Sequence, residues 1–186
     1  MEVLEKTGKV DHNLVHEHHG MAWVDGVTVE PHYKVHNYQC PSTDYAMQEM
    51  FASVFPTELS SADMDGYAVP VFPPTFESVF LISHMVNHVY EEGLGLRQVI
   101  DYAMFLSRCA DKIDWLQHHE YLHQMHMERS WRIFTCICVD YLGMPLPSQV
   151  EPFSHQEKMW AEKMMTDIMR VGNFGRGEAF LLEEID

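Results

Sequence analysis

Residues 21 to 32 read Met21-Ala-Trp-Val-Asp25-Gly26-Val-Thr-Val-Glu30-Pro-His32. Two short β-favouring runs flank Asp25-Gly26, a dipeptide that enters the left-handed region of a two-residue turn easily, so the stretch predicts a β-hairpin. Alternation places Val27 and Val29 on one side and Thr28, Glu30 and His32 on the other. Pro31 has no N–H to offer a ladder, so its strand is expected at an edge or bulged at that point. Period-two character extends over 10–36. Upstream, residues 2–7 read as the end of a helix, with Val3 and Leu4 as its apolar contacts and Gly8 placed to stop it.

Downstream the hydrophobic period lengthens to that of a helix. A short helix is predicted over 42–55, followed by a loop carrying Pro56, Asp63, Asp65, Gly66, Pro70, Pro73 and Pro74. Helices are then expected over 75–91, 94–109, 112–125, 128–142 and 154–171, with breaks at Gly93, at Asp111, near His126 and at Gly143-Met-Pro-Leu-Pro. Met159, Met164, Met165 and Met169 recur at helical spacing and read as core filling. The pattern predicts an α+β chain, a small antiparallel β-hairpin region followed by a helical bundle. Its parts are residues 1–40, a connecting segment over 41–75, and a helical domain over 76–186.

Composition narrows the function classes. With 186 residues, 46% hydrophobic and 22% charged, the chain can build a globular core. Twelve Lys and Arg against 28 acids give a formal charge of −16, which argues against general attraction to nucleic acid or to anionic membrane. Cys40, Cys109, Cys136 and Cys138 include no C-x-x-C pair and read as buried free thiols. No signal peptide or membrane-length apolar run is visible, so a soluble protein of the reducing cytoplasm is expected.

His119, Glu120 and His123 form an H-E-x-x-H, the helical spacing that lets two histidines hold Zn²⁺ while the glutamate activates water. Thirteen histidines make such a string easy to obtain by chance. Trp115, Leu116, Leu122 and Met125 would form the apolar stripe of that helix, with His119 near it and His123 at its flank. His126 follows too closely for a metzincin third ligand, and Glu128 is expected to open the next helix. A surface or boundary histidine cluster is the better reading. There is no G-x-S-x-G, Walker G-K-[ST] or G-x-G-x-x-G, and Asp63-Met64-Asp65-Gly66 reads as a turn rather than a cation site.

Two stretches carry a resemblance together. One is His18-His19 with the hairpin through Glu30-Pro-His32. The other is Leu81-Ile-Ser-His84-Met-Val-Asn-His88-Val-Tyr-Glu-Glu-Gly93-Leu-Gly95-Leu-Arg97-Gln-Val-Ile-Asp101-Tyr-Ala-Met-Phe-Leu. They resemble the uncharacterised nucleotidyltransferase-like family of the polymerase β superfamily, the type found in bacterial polysaccharide gene clusters. Tyr141-Leu-Gly-Met-Pro and Gly172-Asn-Phe-Gly175 add to the likeness, which runs to about residue 177.

The resemblance implies a partial nucleotidyltransferase core in the first 40 residues and Mg²⁺-dependent transfer of a nucleoside monophosphate from a triphosphate to an acceptor hydroxyl. Glu30 matches the third metal-binding carboxylate and His32 the histidine of the family's Glu-x-His pattern. The Gly-Gly or Gly-Ser turn and the preceding Asp-x-Asp strand of the superfamily are missing. The only Asp-x-Asp is Asp63-Met64-Asp65, downstream of Glu30 and so in the wrong order. The chain is therefore expected to be inactive alone, as a truncated, split or degenerate member, or to act as a non-catalytic binding or regulatory module. A homodimer or a partner chain supplying the missing strands is also implied, because an open sheet edge invites pairing.

His84 with His88, and Arg97 with Asp101, are helical i,i+4 pairs. They read either as core-edge packing and a surface ion pair, or as groups that bind nucleotide phosphate or acceptor. His16, His18 and His19 flank the hairpin and read as surface histidines, with a transition-metal cluster as the alternative.

Overall fold

The computed structural model describes residues 9–11, 20–29, 31, 38, 40–55, 59–91 and 93–171. The helix end expected at 2–7, the cluster His16, His18 and His19, and Gly172 to Gly175 lie outside them. The chain divides into two compact units, Met1–Ser53 and Val54–Asp186.

In the first unit, β1 (Lys9–Asp11), β2 (Met21–Val24) and β3 (Val27–Val29) form an antiparallel sheet in that order. Asp25 and Gly26 both take positive φ, 50° and 81°, as a two-residue turn of the right handedness requires. The register pairs Val24 with Val27, Trp23 with Thr28 and Ala22 with Val29. Counting from the turn, bonded pairs alternate with unbonded ones, so the next bonded site falls at Gly20 and Pro31. There the Gly20 N–H donates to the Pro31 carbonyl at 3.1 Å, while the proline ring gives nothing back. Among the described residues β3 is an edge strand, as the proline predicts. Ala22 is fully buried, and Val27, beside the turn, is exposed. Helix α1 (Pro41–Val54) follows, close to the predicted 42–55, and buries Thr43, Met47, Met50 and Val54 along one stripe.

The second unit opens with a departure from expectation. The stretch assigned to a proline-rich loop forms a second hairpin, β4 (Ser60–Met64) and β5 (Tyr67–Val71), joined by Asp65-Gly66. The turn repeats the first one, with φ of 54° at Asp65 and 86° at Gly66. Pro70 is accommodated by register. Met64 pairs with Tyr67 at the turn, so Ser61 and Pro70 meet at an unbonded position, where no N–H is missed.

Helices α2 (Pro74–Glu91), α3 (Leu96–Cys109), α4 (Trp115–Gln124), α5 (Glu128–Asp140) and α6 (His155–Val171) agree with the five predicted spans to within a few residues. A 3₁₀ turn, Ala110–Lys112, joins α3 to α4. α2 packs on α3, α4 and α5, α3 also packs on α5, and α6 lies against α5. α5 is the central helix, since Ile133 to Cys138, more than a full turn, are all buried, while Glu128, Arg129 and Asp140 toward its ends are exposed. Its neighbours contribute Phe76, Val79, Ile82 and Met85 from α2, and Val99, Tyr102 and Leu106 from α3.

Local chemistry sets the boundaries. The Asp114 carboxylate accepts from the N–H groups of Leu116 and Gln117 at 3.1 Å each, capping α4, and the Asp114 N–H donates to Thr75 Oγ1 at 2.9 Å. Ser154 and Glu157 form a reciprocal capping box at the start of α6, at 2.6 and 3.2 Å. His126 takes a left-handed φ of 56° between α4 and α5, and Gly143 one of 71° after α5.

Two readings of burial are corrected. Only Met164 of the four methionines on α6 is buried; Met159 and Met169 are exposed at 39% and 64%, because the inward line is Ala161, Met164 and Ile168. Of the cysteines, Cys136 and Cys138 are buried, Cys109 is half-buried and Cys40 is exposed.

Candidate functional site

Glu30 and His32, the residues expected to meet metal and substrate, lie outside the described residues. The other candidates stand on α2 and α3. His84 and His88 point at each other across one turn of α2, with their Nε2 atoms 3.1 Å apart and ring planes at 87°. His84 also stacks on Phe80, at 6.0 Å between ring centres. Both histidines are half-buried. Arg97 and Asp101 form the anticipated i,i+4 ion pair, at 3.9 Å with side chains 86% and 63% exposed. At that distance and exposure the pair contributes little to stability, and the guanidinium faces solvent.

The H-E-x-x-H geometry is that of a surface. His119, Glu120 and His123 are exposed, and His123 Nδ1 contacts Glu128 Oε1 at 2.8 Å. Glu128 opens α5, as the sequence suggested. Among the described residues no three His, Cys, Asp or Glu side chains are grouped to hold a metal ion. Asp63 and Asp65 do not make a cation site either, because the Gly66 N–H donates to Asp63 Oδ1 at 3.3 Å in the exposed turn of the second hairpin.

The buried stripe of α4 differs from expectation. Leu116 is 74% exposed, and the inward positions are His118, Leu122 and Met125, with Trp115 half-buried. The 3–4–3 spacing of 115, 118, 122 and 125 carries that information, but a histidine in the second place hides it from an apolar count. His118 sits in a polar core. Its Nε2 meets Ser78 Oγ of α2 at 3.0 Å, and its ring lies edge-on to Trp115 and Trp131. Burial, then the neighbouring His119, hold its pKa down to about 3, so the ring is neutral. The Tyr102 hydroxyl lies among Thr135, Ser78 and Trp131, and burial keeps it from ionising. None of the three is in hydrogen-bond geometry with it. A Ser–His contact suggests a nucleophile, but Ser78 and His118 are both fully buried and no substrate could reach them.

α6 is clamped to α5 by charge. Arg132 forks onto both Glu157 oxygens at 2.6 and 3.1 Å, donates to the Glu151 and Pro152 carbonyls, and lies over the Phe153 ring. Beside it, Lys158 pairs with Asp140 at 3.1 Å along an open groove that includes Tyr141, His155 and Glu162. Both arrangements fix helices together.

Among the described residues the chain offers a three-stranded antiparallel sheet, a second hairpin and a helical bundle, and it is the comparison with protein families that gives the class. Residues 1–143 match the model of a family described as uncharacterised nucleotidyltransferases, and the chain belongs to that family. No curated protein and no solved structure matches the chain.

Proposed function

We propose that this chain supplies part of the site of a metal-dependent nucleotidyltransferase. In the complete site an acceptor hydroxyl attacks the α-phosphorus of a nucleoside triphosphate, the new P–O bond forms, and the bond to pyrophosphate breaks. The observation that carries the reading is the family match through the hairpin, α1 and helices α2 to α5. Glu30 is the residue assigned to the Mg²⁺ carboxylate set, with His32, His84, His88, Arg97 and Asp101 assigned to substrate. Arg97 is favoured for phosphate by its exposed, loosely held guanidinium.

The described carboxylates do not fit a two-metal site. The turn of β4 and β5 uses the Asp63 carboxylate, and no group of three ligands is present among the described residues. Transfer therefore requires metal-binding carboxylates other than the described ones, from the rest of the protein or from a partner chain. Thermal melting with each of the four nucleoside triphosphates, with and without Mg²⁺ at matched ionic strength, tests the proposal. A Mg²⁺-dependent rise for a triphosphate, with no label transferred by the chain alone, is the expected result. Absence of any nucleotide shift, together with a stable complex with another protein, would replace it by a non-catalytic binding module.

A further inference from the structure

The histidine pair on α2 brings two ring nitrogens together on one helix face. The two Nε2 atoms stand 3.1 Å apart, so a neutral pair shares one proton, with one ring donating and the other accepting. Whatever replaces that proton must bond two imidazole nitrogens held about this far apart. A divalent transition ion does so. With metal–nitrogen bonds of about 2.05 Å, a 3.1 Å separation sets a nitrogen–metal–nitrogen angle of about 98°. That lies between the right angle of adjacent octahedral positions and the wider tetrahedral angle, so both geometries are open.

We propose that His84 and His88 form a two-imidazole chelate for a borderline divalent ion of the Zn²⁺, Ni²⁺, Co²⁺ or Cu²⁺ class. Nitrogen donors exclude Mg²⁺ and Ca²⁺ from the role, since both seek oxygen ligands. The ion is thus chemically distinct from the Mg²⁺ assigned to Glu30, and the chelate gives His84 and His88 a metal-binding role in place of the direct substrate contact assigned to them above. On binding, the donating ring moves its Nε2 proton to Nδ1 through solvent, and both Nε2 lone pairs bond to the metal with no change of oxidation state. Each lone pair must swing about 40° off the nitrogen–nitrogen line, a turn of χ2, which is a broad torsion. The α2 backbone sets the four-residue spacing that places both rings on one face. Among the described residues no third His, Cys, Asp or Glu is grouped with them, so the proposed site is the two-imidazole chelate itself. That makes the ion exchangeable, unlike one in a closed four-ligand structural site.

The chain has 13 histidines, so weak surface binding must be separated from the site. The experiment is calorimetric titration of chelator-treated full-length protein with Ni²⁺ and with Zn²⁺. Wild type is compared with His88→Gln, with His84→Gln/His88→Gln, and with a control carrying His119→Gln and His123→Gln. The expected result is one equivalent bound more tightly than the rest, lost in both α2 variants and retained in the control. His88→Gln leaves the Phe80–His84 stack in place. The proposal is also read without any variant, from the side-chain ¹⁵N resonances of the wild-type histidines. Zn²⁺ should move the Nε2 signals of His84 and His88 first and in step. A tight equivalent that persists in the double α2 variant, no tight equivalent in wild type, or first shifts at other histidines would each overturn the assignment and leave the pair as a hydrogen bond within α2.

Discussion

At His118 a titratable ring is committed to one protonation state by its surroundings. Its pKa in the folded chain is about 3, against about 6.5 when unfolded, so between those values the unfolded chain binds a proton that the native one excludes. Stability is full above pH 6.5 and declines as the pH falls, by about 1.4 kcal/mol per unit, until the folded pKa is reached. Urea unfolding should therefore give a native state roughly 2 kcal/mol less stable at pH 5 than at pH 7. His118→Gln, less stable at pH 7, should flatten that slope, and a flat wild-type profile would contradict the buried neutral ring. The cysteines separate in the opposite sense. Hydrogen bonds from Ser42, then from Thr43, hold the exposed Cys40 thiol down to about 7, while burial pushes Cys136 up to about 11 and Cys138 up to about 12. Native protein treated with iodoacetamide at neutral pH should be alkylated first at Cys40, as read by peptide mass mapping. Cys40→Ser should abolish that fast phase and leave Cys136 and Cys138 to react only on unfolding.

Among the elements, α6 depends most on one contact. Arg132 and Glu157 are only 16% and 21% exposed, and the Glu157 carboxylate also accepts from the Ser154 N–H, so ion pair and helix cap converge on one group. Hydrogen bonding from Arg132 is the largest cause holding the Glu157 carboxyl at about 2. Its stabilisation is present above about pH 4.3 and is lost as the pH falls toward 2, a window that overlaps only the acid end of the one in which His118 acts. Arg132→Lys keeps the charge but not the fork, and should cost about 1–2 kcal/mol in urea denaturation. Arg132→Ala strands Glu157 half-buried and should cost about 3 kcal/mol. A loss of under about 0.5 kcal/mol in the alanine variant would place the pair among ordinary surface bridges. The helices of this unit were legible because their stripes and stops, Gly93, His126 and Gly143, lie in the sequence itself. The second hairpin was not. Asp65-Gly66 gives the same turn signal as Asp25-Gly26, but Pro70, Pro73 and Pro74 nearby argue for loop. Only the strand register, which depends on the partner strand, shows that Pro70 falls where no donor is needed. The same limit applies to the site. The His84–His88 and Arg97–Asp101 contacts follow from helical spacing, whereas the Ser78–His118 contact joins positions forty residues apart and has no local signature.

For the whole molecule, charge governs how any binding experiment reads. Twelve cationic side chains against 28 acidic ones leave −16, so the folded chain repels itself and has few cations with which to displace counterions from a polyanion. Among the described residues several of those cations are already paired within the bundle, Arg132 to Glu157, Lys158 to Asp140 and Arg170 to Asp167. Two outcomes are expected. Duplex DNA should show no mobility shift at roughly 50 mM salt, where a protein making several phosphate contacts would bind strongly. The melting temperature should rise by a few degrees as NaCl increases from about 20 to about 300 mM, because screening relieves self-repulsion over a shorter Debye length. Mg²⁺ will give part of that rise by screening alone, so only the increment from a triphosphate at constant ionic strength reports a nucleotide site. A DNA shift would require a local basic patch that the overall charge conceals. A melting temperature that falls with salt would mean that the paired charges of the bundle outweigh its net repulsion.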